Sequence, residues 1–165
     1  RRAKSAFAPA LYRCRSVNIK KYLLASLLAA STPFALAADS LARNKENVVA
    51  FYELSFNQHK LEEAVAKYVA ELYIQHNPGV ADGGKAFIDA FAPFLKEHPQ
   101  SRADIKRVIA EGDLVVVHVH SQTAPDDRGE AVIDIFRLDE NGKIVEHWDV
   151  AQPVPEKTAS GHTMF

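Results

Sequence analysis

The chain has 165 residues, 47% of them hydrophobic and 25% charged, with 20 Lys and Arg against 21 Asp and Glu. That length holds one domain with a real core, not two. A single cysteine excludes a disulfide-built scaffold, and no excess of positive charge marks a nucleic-acid face.

Asn18–Lys21 is a short basic segment, Tyr22–Ala30 is an apolar run, and Ser31–Ala37 ends in the small-x-small pattern Ala35-Leu36-Ala37. This is the layout of a secretory signal peptide, with cleavage expected near Ala37 or Ala38. The run is too short and too interrupted for a membrane span, which needs about 20 predominantly apolar residues. Residues 1–16 are unlike a signal n-region, so Val17 is expected to mark the true start and residues 1–37 to be absent from the working protein. Seven of the 20 Lys and Arg, and none of the 21 Asp and Glu, fall in residues 1–37, which leaves 13 against 21 and a net charge of −8. Nucleic acid is therefore not an expected partner, nor is a membrane once the leader is removed. Cys14 lies in the same segment, so no thiol chemistry is expected in the mature chain.

Asn44–Asn57 places Val48, Phe51, Tyr52 and Phe56 at helical spacing, with Asn44 as candidate N-cap. Lys60–Glu71 repeats the pattern with Leu61, Val65, Tyr68 and Val69. Leu72–Asn77, Pro78-Gly79 and Asp82-Gly83-Gly84 then read as a turn-rich loop. Lys85–Glu97 is a third amphipathic helix, in which Pro93 predicts a kink or break. From Arg102 the period changes from 3.6 to 2. Four strands are predicted over 102–110, 114–122, 129–138 and 143–151, with short connections that make neighbours antiparallel. The tail from Pro153 is expected to fray, residues 38–155 being the domain and 156–165 a flexible end. Helices followed by a meander is the α+β pattern, with the helices on one face of a curved sheet.

Three strand residues are out of place in a plain core. His118 and His120 share one face of their strand with Leu114 and Val116, opposite Val115, Val117 and Val119. Asp134 interrupts the apolar run Ala131–Phe136 and shares a face with Val132 and Phe136. On the last strand Ile144, Glu146 and Trp148 alternate with Val145, His147 and Asp149. A buried carboxylate needs donors, a proton or a wet cavity. The simplest arrangement puts His118, His120 and Asp134 together on the concave face as an acid/base group. Structural readings stand beside it: half-buried satisfied histidines, an ion pair of Asp134 with Arg128 or Lys106, and an edge strand at His147–Asp149 with one buried Trp. Tyr52, Tyr68 and Tyr73 read as packing residues. A metal site on His118 and His120, with His76 or Asp134, is a weaker alternative.

The segments Tyr73–Pro78 (YIQHNP), Asp134–Arg137 (DIFR) and Asn141–Asp149 (NGKIVEHWD) resemble the SnoaL-like polyketide cyclase family of the nuclear transport factor 2-like superfamily. The resemblance spans residues 47–155. It implies a cone-shaped α+β barrel, a strongly curved, mainly antiparallel sheet closed by three N-terminal helices. It also implies a pocket carboxylate matching Asp134, assisted by a histidine matching His120 or His118, with no metal or organic cofactor. Tyr73, His76, Phe136 and Trp148 would line the pocket, and a homodimer is expected.

The function these readings support is an exported, periplasmic or secreted, acid/base enzyme acting on a small apolar carbonyl compound by aldol cyclisation or isomerisation. The alternative is a non-catalytic periplasmic binding protein for an apolar small molecule. The discriminator is whether Asp134 reaches a ligand freely or is locked in an ion pair.

Overall fold

A computed structural model describes residues 32–165. The predicted signal segment and start site fall on residues 1–37; residues 1–31 lie outside the described residues. No helix among the described residues is long and apolar enough to cross a membrane.

In chain order the elements are α1 (Thr32–Tyr52), continued by a π-helical turn at Glu53–Asn57, α2 (Leu61–Tyr68), β1 (Val69–Gln75), α3 (Gly84–Glu97), β2 (Arg102–Glu111), β3 (Leu114–Gln122), β4 (Glu130–Leu138) and β5 (Ile144–Pro153). The fold class is as expected: α+β, three helices and a curved, mostly antiparallel sheet. The first helix begins twelve residues before Asn44, which is no N-cap but a buried mid-helix residue. α3 runs unbroken across Pro93.

The larger correction is β1. Lys60–Glu71 was expected to be wholly helical and Leu72–Asn77 a loop, yet the helix stops at Tyr68 and a strand follows. Val69 and Tyr73 are buried while Leu72 is 82% exposed and Ile74 47% exposed. Buried positions four apart suit a helical face as well as a strand, so periodicity alone could not separate the two. Five strands result, in the order β1-β5-β4-β3-β2, with β1 parallel to β5 and every other pair antiparallel.

Two irregularities set which side chains face the helices. Between β4 and β5, Arg137 pairs with Glu146 but Leu138 pairs with Ile144, so Val145 is extra. Strict alternation would put Ile144 opposite His147; with the bulge both face inward and both are buried. A second shift makes Lys106 the extra residue between β2 and β3.

The core lies between the helices and the sheet face formed by Val115, Val117, Val119, Phe136, Leu138 and Ile144, against Val48, Phe51, Leu61 and Ala64. Three β-branched valines at spacing two make β3 an apolar wall on that face. Aromatic rings fill the space beside it: Phe51 lies 5.4 Å from Phe87 and 6.0 Å from Phe136, and Phe56 lies 5.3 Å from Phe91. Gly84 lets α3 approach α2, since a Cβ there would stand 2.4 Å from a methyl of Val65. The turn into β4 needs Gly129, whose φ is +70° and whose Cβ would meet the Ser121 carbonyl oxygen.

Candidate active site

The three residues expected to meet on one face do not. β3 turns its valines toward the helices, so His118 and His120 point out of the opposite side of the sheet. There His118 Nδ1 faces Arg107 Nη1 at 2.8 Å, and His120 Nε2 donates to the Arg128 carbonyl at 2.8 Å. Both rings stack against Phe165, at 5.5 and 4.4 Å between centroids, so the end of the tail returns to this face. Burial, then the nearby Arg107 and Lys106, hold the His118 imidazole below its ordinary value. The Arg107 cation beside the His118 nitrogen is also poor company for a metal, and Nε2 of His120 is already committed to a carbonyl. Phe165→Ala should uncover His118 and raise its titration toward the ordinary value of 6.5, read by NMR; an unmoved midpoint would mean the ring does not shield it.

His76 and Trp148 also lie on the outer face. They stack on each other at 4.8 Å with 4° between planes, and Arg137 caps Trp148 at 5.6 Å. His76 Nε2 bonds Glu146 Oε1 at 2.9 Å, and Arg137 Nε donates to Glu146 Oε2 at 2.9 Å. The His76 bond first, then the Arg137 bond, hold the Glu146 carboxyl below its ordinary value. A lowered folded value means stabilisation present above the unfolded value and lost as pH falls through the folded one. Thermal stability should therefore decline below about pH 4.5, and Glu146→Gln should soften that acid limb in a melting series.

Asp134 does face the helices, as expected, and its partner is a different histidine. Tyr52 Oη donates to Asp134 Oδ2 at 2.6 Å, and His147 Nε2 lies 2.9 Å from Asp134 Oδ1. Tyr52, Asp134 and His147 are all buried, at 5%, 5% and 7% exposure. His147 Nδ1 lies 2.7 Å from Gln75 Oε1. That oxygen already accepts the backbone N–H groups of His76 and Asn77, both at 3.1 Å, and the Gln75 amide nitrogen donates to Tyr73 Oη. The glutamine is thus fixed with its oxygen toward the ring, so Nδ1 of His147 must donate.

One consequence is chemical. With Nδ1 carrying a hydrogen, the contact between Nε2 and Asp134 Oδ1 holds a second proton, on either side: carboxylate with imidazolium, or carboxylic acid with imidazole. Without it two lone pairs would face each other in a buried site. Burial first, then Asp134, pushes the Tyr52 phenol up, and burial does the same to Tyr73, so both hydroxyls stay protonated, Tyr52 donating to Asp134 and Tyr73 accepting from Gln75.

Asp149 completes the group. It pairs directly with Asp134 across β4 and β5, and Asn77 Nδ2 donates to its Oδ2 at 2.6 Å. Ligand atoms of Asp134, His147 and Asp149 lie within 4.8 Å of one another. That spacing suits a divalent cation, but binding one at Asp134 and His147 would first have to displace their proton.

These side chains open into a cavity of about 460 Å³ between the helices and the sheet. Phe51, Phe56, Phe87, Phe91, Phe94 and Phe136 make its wall apolar, and Tyr52, Gln75, Asn77, Asp134, His147 and Asp149 form a polar floor. Of the residues expected to line it, Phe136 does so. Tyr73 is buried behind Gln75 and bonds it, while His76 and Trp148 are excluded by strand direction. Tyr52, Gln75, Asn77, His147 and Asp149 escaped the sequence reading. The alternation in Tyr73–Asn77 would have put residues 75 and 77 on one side and His76 on the other, had the segment been read as a strand.

Residues 48–147 match the SnoaL-like domain family. The chain belongs to this family. No curated protein sequence matches it. Among solved structures, this SnoaL-like chain is similar to IdmH, a candidate polyketide cyclase from Streptomyces antibioticus, at 18% identity and TM-score 0.56, covering 66% of this chain and 91% of that one. It is similar to a candidate polyketide cyclase from Bacillus cereus at 23% identity and TM-score 0.57, covering 67% and 74%. It also resembles TsrD from Streptomyces laurentii at 19% identity and TM-score 0.55, covering 67% and 89%. At such identities these likenesses establish the SnoaL-like fold.

Proposed function

We propose that this SnoaL-like protein is an acid/base enzyme acting on a small apolar carbonyl compound, by aldol cyclisation or isomerisation, with its own side chains as the reacting groups. The observation that carries the reading is the buried chain Tyr52, Asp134, His147, Gln75, which holds a transferable proton at the floor of an aromatic cavity. The phenylalanine wall binds and dehydrates the substrate, and the Asp134–His147 pair gives its proton to the carbonyl oxygen as negative charge develops there. Tyr52 steadies the carboxylate left behind. The likeness to IdmH, itself named as a candidate polyketide cyclase, supports the same class of chemistry.

Exchange of α-protons in D₂O across a set of cyclic and aryl ketones tests the reading. Asp134→Asn should slow the best substrate by about 10²–10⁴-fold, the usual range for a positioned acid or base. Full turnover by this variant would remove Asp134 from the mechanism.

A binding protein for an apolar small molecule is the second reading, favoured by one observation: both Asp134 oxygens already have protein partners. Ligand capture with no exchange in any ketone would select it. We further propose export, on the basic and apolar runs within residues 1–37, to be checked by cell fractionation and N-terminal sequencing. A homodimer through the outer sheet face is supported by the exposed Ile74, Ile109 and Val150, and light scattering showing only monomer would remove it.

A further inference from the structure

We infer that the outer sheet face is a self-association surface held half-shut by the chain's own tail, with Phe165 seated where a second copy must pack. This rests on the homodimer reading above and names what regulates that contact. Cross-strand register lays the outer face out in rows. Ile109, Val116, Ile135 and Trp148 form one row across β2, β3, β4 and β5, an apolar stripe that crosses the whole meander. Arg107, His118, Ile133 and Val150 form the next row, and Asp104, His120, Ala131 and Gln152 the one after. On the other side of the stripe lie Glu111, Leu114, Arg137 and Glu146.

Phe165 covers two of these four rows. Its ring lies 4.4 Å from His120 and 5.5 Å from His118, within 30° of parallel to both, and the Lys106 ammonium stands 5.5 Å from its centre. Lys106 is the extra residue of the β2–β3 irregularity, and its Nζ donates to Asp104 Oδ2 at 2.6 Å. The seat is firmly built, yet the strap that carries the ring is lightly held. Val154 is anchored by its N–H on the Gly129 carbonyl at 2.9 Å. Beyond it, among the described residues, the hydrogen bonds of residues 156–165 stay within the tail, as from Thr158 Oγ1 to the His162 carbonyl at 2.7 Å. Residues 155–157 and 159–163 are exposed. Phe165 is therefore the clasp, and losing it alone frees the strap.

Area decides what the strap blocks. A position on one face of a sheet occupies about 4.8 by 6.8 Å, so four rows of four make a flat area of about 520 Å². With side-chain relief the whole face approaches the roughly 800 Å² per partner of a stable interface, whereas the two uncovered rows, about 260 Å², do not. A second copy also fits the whole face by charge. A twofold axis along the stripe sets each row against the row on the opposite side, so Arg107 of one copy meets Glu111 of the other while the two stripes pack together. The rows under Phe165 are then the ones that the open rows of the second copy need, and one strap on each copy shuts the entire contact.

Sedimentation velocity of the full chain, from micromolar to sub-millimolar concentration, provides the test. Phe165→Ala should dimerise about tenfold more tightly than wild type, the factor gained when a half-buried aromatic ring no longer has to be displaced. Adding Val150→Asp, which sets a carboxylate against Glu146 across the twofold, should abolish that dimer; Val150 is 69% exposed, so the fold tolerates the change. If Phe165→Ala dimerises no more tightly than wild type, the tail is no cover and the inference fails while the homodimer reading stands. If the double variant dimerises as tightly as Phe165→Ala, association uses another surface and both fail. Both fail likewise if neither wild type nor Phe165→Ala associates.

Discussion

Asp134→Ala should destabilise the protein by about 3 kcal/mol in urea titration, because it strands two buried partners at once. The Tyr52 hydroxyl loses the oxygen it meets at 2.6 Å, and His147 Nε2 loses the one at 2.9 Å. Tyr52→Phe alone should cost less, about 1.5–3 kcal/mol, since it deletes one hydrogen bond to a charged group. In the Tyr52→Phe background the loss from Asp134→Ala should shrink, by a coupling between about 0.5 and 3 kcal/mol. A double-mutant cycle that sums to the two single effects would show that the hydroxyl and the carboxylate act independently, against the short contact between them. Activity should follow a different order, with Tyr52→Phe retaining the transferable proton that Asp134→Ala destroys.

The second large effect is expected at Phe51. This ring is 1% exposed, touches Phe87 and Phe136, and still borders the cavity. Phe51→Ala should cost about 3–5 kcal/mol, combining lost burial with a void that neighbouring rings cannot close. The urea midpoint should fall with the slope unchanged, and the cavity should gain volume and admit bulkier ketones. A loss under 1 kcal/mol would mean that α1 collapses onto the sheet and that the aromatic wall is softer than its ring contacts indicate.

The fold class was legible in the sequence because it rests on long periodic runs, and β3 and β4 announce themselves by their alternation. Even the face assignments within β3 and β4 were right. What misled was the choice of inner face on β3. His118 and His120 drew attention because they titrate, whereas the opposite valines, which are the stronger burial signal, decide the matter. Asp134 could be picked out because a carboxylate between isoleucines is costly wherever it points. Its partners could not, for reasons that differ. Tyr52 sits on an amphipathic helix where an aromatic ring already has a packing role. His147 faces Asp134 only through the β4–β5 register, and the extra Val145 resets the alternation of its strand. Gln75 and Asn77 depend on a strand whose burial pattern also suits a helix. Pairings between distant segments leave no local mark on either one.

The parallel pairing of β1 with β5 carries a kinetic consequence. β2 to β5 form a meander of neighbouring hairpins, while β1 must find a partner some seventy residues further along the chain. Closing so long a loop makes this edge late in folding and the first to open. Gln75 and Asn77 travel with it, so each opening unpins His147 and Asp149 together. Amides of β1 should exchange with solvent by a partial opening that leaves the meander protected, and the reactive arrangement would then be switched off in molecules that are still, by every bulk measure, folded.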